Sequence, residues 1–142
     1  MTQEDRDLLL KDLCARLPYK PIVHIDDCGV WSLRGVDHDD SAELRDRVIV
    51  WHGENYPSSK NSFPIINCKP YLFPLSGMTE EQKKEYCSLV WFDGLSAGWN
   101  RDDAVILNEV EILIDFYHKN HLDWRGLIEK GLAIDATGLN IY

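Results

Sequence analysis

The residues whose types and spacing come closest to a reactive site are Asp115, His118 and His121. On a helix, side chains three residues apart are neighbours on one face, so the first two could point in a common direction. Carboxylate and imidazole groups are ordinary zinc ligands. However, His118 falls at the predicted end of a helix, where the negative end of the helix dipole by itself favours a histidine. A metal site of these three residues, serving a small metal-assisted hydrolase, is therefore kept as the alternative interpretation.

A second combination of polar residues lies in the first half of the chain. His24 and Asp26 could meet His38 or His52 across a sheet and perform acid–base chemistry. Nothing in their spacing brings them together, and the exposed face of a strand explains them equally well. The chain also lacks a P-loop and an H-E-x-x-H helix. The sequence accordingly assigns no catalytic residue, predicts no cofactor and leans away from an enzyme.

The composition favours a globular, acidic protein. A net charge of −9 arises from 24 acidic and 15 basic residues, and no cluster of Lys and Arg appears along the chain. Because contact with a phosphate backbone draws on clustered basic residues, direct binding of nucleic acid is not expected. The N-terminal segment lacks the apolar core of a signal peptide, no apolar run is long enough to span a membrane, and the four cysteines show no C-x-x-C spacing. We expect a cytoplasmic protein with reduced thiols and no membrane association.

The first half of the chain shows strand patterns after one helix. Thr2 is placed to cap a helix of about four turns that Pro18 ends. Alternating residues from 20 to 37, interrupted by Asp-Asp-Cys-Gly, predict a hairpin. The run 48–51 predicts a third strand, residues 54–64 a polar loop, and Ile65–Cys68 a fourth extended segment.

The second half is helical. Thr79 and Gln82 form a capping-box pattern at the start of a helix that runs to about Phe92. A strongly apolar helix from Ala104 to about Lys119 is expected at the centre of the core, followed by a short helix over 124–131. Together these patterns predict a single α+β domain over residues 1–142, with a sheet-rich half at about 20–75 and a helical half at about 79–131. Its architecture would be an N-terminal helix, a mainly antiparallel sheet of three to five strands, and then two or three helices.

Aromatic residues in polar loops are the best candidates for an interface. Trp99 lies in a Gly-bounded loop, and Tyr56 and Phe63 belong to the polar stretch 54–64. Exposed aromatic side chains are favoured anchors where proteins bind one another. These three residues form the predicted binding surface.

Three segments carry a family resemblance: Leu13–Tyr19, the stretch Lys-Pro-Tyr-Leu-Phe-Pro-Leu-Ser-Gly-Met-Thr-Glu-Glu from Lys69 to Glu81, and Asp123–Ala133. In their amino-acid sequences and in their order along the chain, these segments resemble a family of uncharacterised proteins encoded by phages and prophages of gut bacteria. In that family, Arg usually stands where this chain has Phe73, and Ser where it has Gly77. The resemblance implies no activity, cofactor or catalytic residue.

The resemblance does imply a context, the cytoplasm of a bacterial host. There, small phage proteins commonly act by binding host or phage macromolecules, which is an association and not a physical argument. We therefore expect an accessory protein, a regulator or inhibitor, with a protein partner of host or phage origin. Self-association stays open.

Overall fold

The computed structural model describes residues 1–38, 46–51, 61–96 and 103–142. In chain order its elements are α1 (Gln3–Arg16), β1 (Ile22–Ile25), β2 (Gly29–His38), β3 (Asp46–Trp51), β4 (Asn61–Pro64), β5 (Cys68–Leu72), α2 (Glu80–Ser96), α3 (Asp103–Lys119) and β6 (Ile134–Asp135). The predicted α+β class, with an N-terminal helix, a mainly antiparallel sheet and two later helices, is confirmed. None of the helices in these ranges is long and apolar enough to cross a membrane.

Thr2 caps helix α1, as the sequence predicts, and the cap is a capping box. The Thr2 hydroxyl accepts a hydrogen bond from the Asp5 backbone N–H, and the Asp5 carboxylate accepts one from the Thr2 backbone N–H, both at 3.1 Å. These two bonds satisfy donors that a helix start otherwise leaves unpaired. The helix ends at Arg16, and Pro18 lies in the 3₁₀ turn Leu17–Tyr19 that follows.

The described strands form one sheet in the order β4-β3-β2-β1-β5-β6. All neighbours are antiparallel except β5 and β6, which pair in parallel over two residues. The predicted hairpin joins β1 to β2, and Asp27 and Gly29 adopt the left-handed φ values of 62° and 86° that its turn needs. Strands β1, β2 and β3 therefore occupy the interior of the sheet.

Three sequence expectations about the sheet are wrong. Residues 61–64 of the predicted polar loop form β4, because Phe63 lies opposite Val48 and packs against the core. The expected extended segment Ile65–Cys68 is instead a 3₁₀ turn over Ile65–Asn67, and the next strand starts at Cys68. With the short strand β6, the sheet has six strands and not three to five.

One face of the sheet is buried under α1. Leu9 and Leu13 of α1 pack against residues that alternate along the strands, and every member of this cluster is fully or almost fully buried: Val23, Ile25, Leu33, Val48, Val50, Ile65 and Cys68. Burying an aliphatic side chain of this size contributes about 1.5 to 3 kcal/mol. Within each strand, the residues that alternate with these core residues project to the opposite face of the sheet.

Helices α2 and α3 each differ from the sequence prediction in one way. Helix α2 starts with the predicted capping box, in which Thr79 and Gln82 exchange hydrogen bonds. It continues to Ser96, past the predicted end at about Phe92. Over residues 110–119, where its side chains are described, helix α3 is only partly buried: Phe116 is buried, but the side chains of Val110 and Ile112 are 49% and 41% exposed.

The segment after α3 is a series of turns where a short helix was predicted. The two carboxylate oxygens of Asp123 accept hydrogen bonds from the backbone N–H groups of Leu127 and Ile128, each at 2.8 Å. Gly126 and Gly131 both have a backbone φ of 71°, a value that residues other than glycine rarely adopt. These constraints close the chain into turns before a regular helix can form, and Leu127 and Leu132 then pack on Leu72.

Candidate binding site

The face of the sheet opposite α1 carries polar and aromatic side chains. Ile22 lies opposite Ser32, and Ser32 lies opposite Trp51, so these three residues share this face. His24, which lies two residues from Ile22, faces Val30 on one neighbouring strand and Lys69 on the other. We call this surface the open face, because its residues keep part of their area exposed and Val30 is 45% exposed.

A groove of about 290 Å³ crosses the open face at β1, β2 and β3. Ile22 and Val30 give it an apolar floor, and Lys20, Ser32, Arg34 and Trp51 supply its polar groups. Trp31 also contributes to the lining, and its indole N–H donates to the carbonyl of Cys28 at 3.1 Å. Among the described residues, no Asp or Glu lines this groove.

A strand irregularity places Arg34 over Trp51. Between β2 and β3 the register shifts, so that Leu33 pairs with Val50 but Gly35 pairs with Ile49. Arg34 is the extra residue, as in a β-bulge, which redirects a side chain locally. Its guanidinium carbon lies 5.3 Å from the centre of the Trp51 ring, within the range of a cation–π interaction.

The positive charges of the groove have no acidic partner among the described residues. Within these ranges ion pairs form between Arg16 and Asp12, Lys83 and Glu80, Lys119 and Glu85, and Arg125 and Asp12, but not at Lys20 or Arg34. The Arg34 Nε and Trp51 Nε1 atoms are shielded from solvent without a hydrogen-bond partner in the described parts of the chain. The groove therefore presents the positive charge of Lys20 and Arg34 in an acidic protein.

Two other grooves differ from this one because their charged groups are already engaged. The first, of about 310 Å³, has the Lys119–Glu85 ion pair at 2.7 Å on its wall. The second, of about 420 Å³, contains Asp123, whose two oxygens accept backbone hydrogen bonds, together with the exposed Glu129. Among its described lining residues, neither groove combines a cation that lacks an acidic partner with an aromatic wall.

The structure does not bring the three predicted metal ligands together as a metal site. Asp115 accepts a hydrogen bond from the Tyr19 hydroxyl at 2.7 Å. His118 is buried, and its Nε2 accepts the indole N–H of Trp124 at 3.1 Å. His121 stacks on Tyr142 with ring centres 3.7 Å apart. Across the described ranges, no group of three or more His, Cys, Asp or Glu side chains is arranged to hold a metal ion.

Burial and positive charge keep both of these histidines neutral. Burial lowers the pKa of His118 to about 4, and the nearby charge of Arg16 acts in the same direction. Burial and Arg16 likewise lower the pKa of His121 to about 4. A neutral His118 is consistent with its role as a hydrogen-bond acceptor for Trp124.

Arg16, whose charge lowers the pKa of both histidines, belongs to a buried cluster that joins α1 to the turns after α3. Arg16 Nε donates to Asp12 at 2.6 Å, and Arg16 Nη2 donates to the carbonyl of Leu122 at 2.8 Å. Arg125 Nε lies 3.2 Å from the other Asp12 oxygen. Asp12 and Arg16 are fully buried, so the cluster is a structural connection with no access for a ligand.

The predicted binding residues are only partly covered by the described ranges. Tyr56 and Trp99 lie outside them. Phe63 is half-buried on β4, and its ring centre lies 6.0 Å from that of Trp31 on the α1 side of the sheet. Phe63 is therefore a packing residue at the margin of the core, away from the open face.

Residues 94–98, Gly-Leu-Ser-Ala-Gly, have the G-x-S-x-G spacing of a nucleophile elbow. An elbow requires a sharp turn from a strand into a helix, with the serine at the turn. Here Gly94 to Ser96 form the last turn of α2, and residues 97 and 98 lie outside the described ranges. The local structure does not match that motif.

Sequence reasoning did not identify the groove, although part of its signal is present. The alternation of Trp31 and Leu33 with Ser32 and Arg34 places the last two on the face away from the core. Trp51 closes a continuous apolar run, 48–51, whose faces cannot be separated by pattern alone. Only the observed register shows that Trp51 joins Ser32 and Arg34.

Comparison with known proteins gives no further guide to this site, because no protein-family model, curated protein or solved structure matches the chain.

Proposed function

We propose that this chain is a non-enzymatic binding protein that takes a protein partner on the open face of its sheet. The single observation that carries this proposal is the groove at Lys20, Arg34 and Trp51, where two cations without an acidic partner among the described residues adjoin an indole. Arginine and tryptophan are the side chains most enriched among residues that dominate protein–protein binding. The resemblance to phage proteins makes a host or phage protein in the bacterial cytoplasm the expected partner, with regulation or inhibition as the outcome.

The size of the groove supports a macromolecular partner over a cofactor. At about 290 Å³ it lies at the lower end of the range of roughly 300 to 1,000 Å³ that is typical of small-molecule pockets. A groove of this size accommodates one or two side chains of a partner whose remaining contacts lie on the surrounding sheet. Ile22 and Val30 provide the apolar contact area there.

Site-specific crosslinking in a bacterial host tests this proposal. A photo-crosslinking amino acid replaces Val30, which is 45% exposed in the groove, and in a matched control it replaces Leu139, which is 49% exposed away from the groove. We expect a discrete protein adduct from position 30 that is absent from position 139. The adduct should disappear when Arg34→Glu is added and persist with Lys84→Glu, which makes the same charge change on α2.

The partner identified in this way is then purified and its affinity measured by calorimetry. Wild type and Lys84→Glu should bind alike, and Arg34→Glu should bind at least about tenfold more weakly, equivalent to about 1.4 kcal/mol. If no adduct forms at position 30 above the level at position 139, or if Arg34→Glu leaves it unchanged, the open face is not the binding surface.

A further inference from the structure

We infer that the groove on the open face recognises an acidic peptide segment, with a carboxylate placed against Lys20 and Arg34 and an apolar side chain next to it on Ile22 and Val30. This inference rests on the proposed function and specifies the chemistry of the partner. The described lining side chains offer an ammonium and a guanidinium, which are both donors, and among them only the Ser32 hydroxyl can also accept. The complementary ligand group is an acceptor with negative charge.

The open face concentrates positive charge that is scattered along the sequence. Lys69 on β5 shares the face with His24, and Arg47 shares it with Trp51 because they are four residues apart on β3. In the described part of the sheet, the register places one acidic residue, Asp37, directly opposite one of these cations, Arg47, at the far end of β2. A net charge of −9 for the whole chain makes this local reversal of sign a specific attraction for a negatively charged segment.

A carboxylate fits Arg34 better than a nucleic-acid base fits Trp51. Binding of single-stranded nucleic acid depends on aromatic ring faces on which bases stack. The Trp51 ring already has the Arg34 guanidinium over it, and Trp31 packs with Phe63 on the core side. The acidic chain would also repel a phosphate backbone at long range, and two groove cations would release few counterions. An isolated Asp or Glu beside an apolar residue needs no free aromatic ring face, and it carries much less negative charge than a phosphate backbone for the protein to repel.

The groove's composition defines the peptide further. In an extended peptide, alternate side chains point to one side, so a carboxylate and an apolar side chain two residues apart would reach the cations and the apolar floor together. A guanidinium pairs with a carboxylate through two parallel hydrogen bonds, which Lys20 cannot replace. Arg34 is thus the residue expected to set the charge preference, and Lys20 to strengthen the attraction.

Selection from a displayed library of short random peptides on immobilised protein tests this inference. Wild type should enrich sequences that carry Asp or Glu next to, or two residues from, an apolar residue. Arg34→Gln should weaken binding of a synthesised consensus peptide about tenfold, and Arg34→Glu should enrich Lys or Arg at the same peptide position. Lys84→Glu should retain the wild-type consensus, and circular dichroism should show that all variants are folded.

Each other outcome overturns the inference. If peptides are enriched without an acidic preference, or if Arg34→Glu selects the same sequences as wild type, the charge argument is wrong although crosslinking at position 30 can still support a protein partner. If oligothymidylate binds more tightly than the consensus peptide and depends on Arg34, the face binds nucleic acid instead. If no peptide is enriched while the crosslinked partner binds, recognition depends on a folded surface and not on an acidic segment.

Discussion

The indole N–H of Trp124 donates to Nε2 of His118 over 3.1 Å, and this bond requires the imidazole to accept at that nitrogen. Because an imidazolium has no lone pair to accept with, the arrangement holds His118 in its neutral form with the proton on Nδ1. Burial and the charge of Arg16 act in the same direction. The Trp124–His118 pair therefore links protonation of one residue to the packing of the turns after α3.

The pH dependence of stability should report this link. The pKa of His118 falls from 6.5 to about 4 on folding, so between these values the unfolded chain binds more protons than the folded protein. The contribution is fully present above pH 6.5 and is lost as the pH falls towards 4, with a slope of up to about 1.4 kcal/mol per pH unit for one group. Urea unfolding at a series of pH values across this window measures it.

The matched variant for this measurement is His118→Gln. Its amide oxygen can still accept from Trp124, but it does not titrate. We expect its free energy of unfolding to fall less steeply than that of wild type between pH 6.5 and pH 4, and His121, whose pKa is also lowered to about 4, should account for part of the slope that remains. Equal slopes for the two proteins would show that His118 titrates normally in the folded state.

The engagement of His118 also predicts how the protein responds to metal. Because Nε2 is occupied by Trp124 and the residue is buried, zinc binding at His118 would have to break this hydrogen bond. We expect any change in Tm on adding zinc, or on adding a chelator, to be the same in wild type and in His118→Gln. A zinc-induced rise in Tm that is lost in His118→Gln and in Asp115→Asn would restore the metal-site interpretation.

Replacing Asp12 should be among the most destabilising single changes in the chain. Asp12→Ala removes the carboxylate that faces both Arg16 and Arg125, and it leaves the fully buried Arg16 without its ion-pair partner. Breaking a buried pair in this way typically costs about 3 to 5 kcal/mol. Denaturant unfolding should show a loss of this order, whereas Asp7→Ala, the same change on the exposed side of α1, should cost less than about 0.5 kcal/mol.

A double variant separates the cost of an unpaired charge from the cost of lost packing. Asp12→Leu with Arg16→Met removes the fully buried Arg16 charge together with its partner, so that only Arg125, whose side chain is 15% exposed, loses a contact. Replacements of this kind are often nearly neutral. Its stability should exceed that of Asp12→Ala. If the double variant is instead less stable than either single variant, the ion pair itself is the main source of stabilisation.

What the sequence predicts well depends on signals that are local. The Thr2 cap, the Asp-Asp-Cys-Gly hairpin turn and the Thr79 box each lie within four residues, and all three form in the structure. The groove could not be predicted in this way, because Lys20, Arg34 and Trp51 are distant in sequence and are gathered only by the register of three strands and a bulge. The exposure of Val110 and Ile112 on α3 was missed for a related reason, since an apolar pattern indicates a face that can be buried and not what covers it.

The hydroxyl group of Tyr142 lies at the junction of β1 and β5. It accepts the backbone N–H of Ile22 at 3.1 Å and donates to the backbone carbonyl of Tyr71 at 2.8 Å. The hydroxyl thus connects the two strands just beyond their last paired residues, Val23 and Pro70. Burial of this hydroxyl raises the pKa of Tyr142 to about 12, although the backbone N–H of Ile22 partly opposes the shift.

Removing this hydroxyl should loosen the end of the strand pair. In Tyr142→Phe the ring can still stack on His121, but Ile22 N–H and Tyr71 C=O both lose a partner, at an expected cost of about 1 to 3 kcal/mol. Hydrogen exchange at the Ile22 amide should become faster, while the Ile25 amide should stay protected. Tyr19→Phe, which loses a hydrogen bond to Asp115 at the surface, should cost less and leave Ile22 unchanged. Unaltered exchange at Ile22 in Tyr142→Phe would mean that the hydroxyl does not hold these strands together.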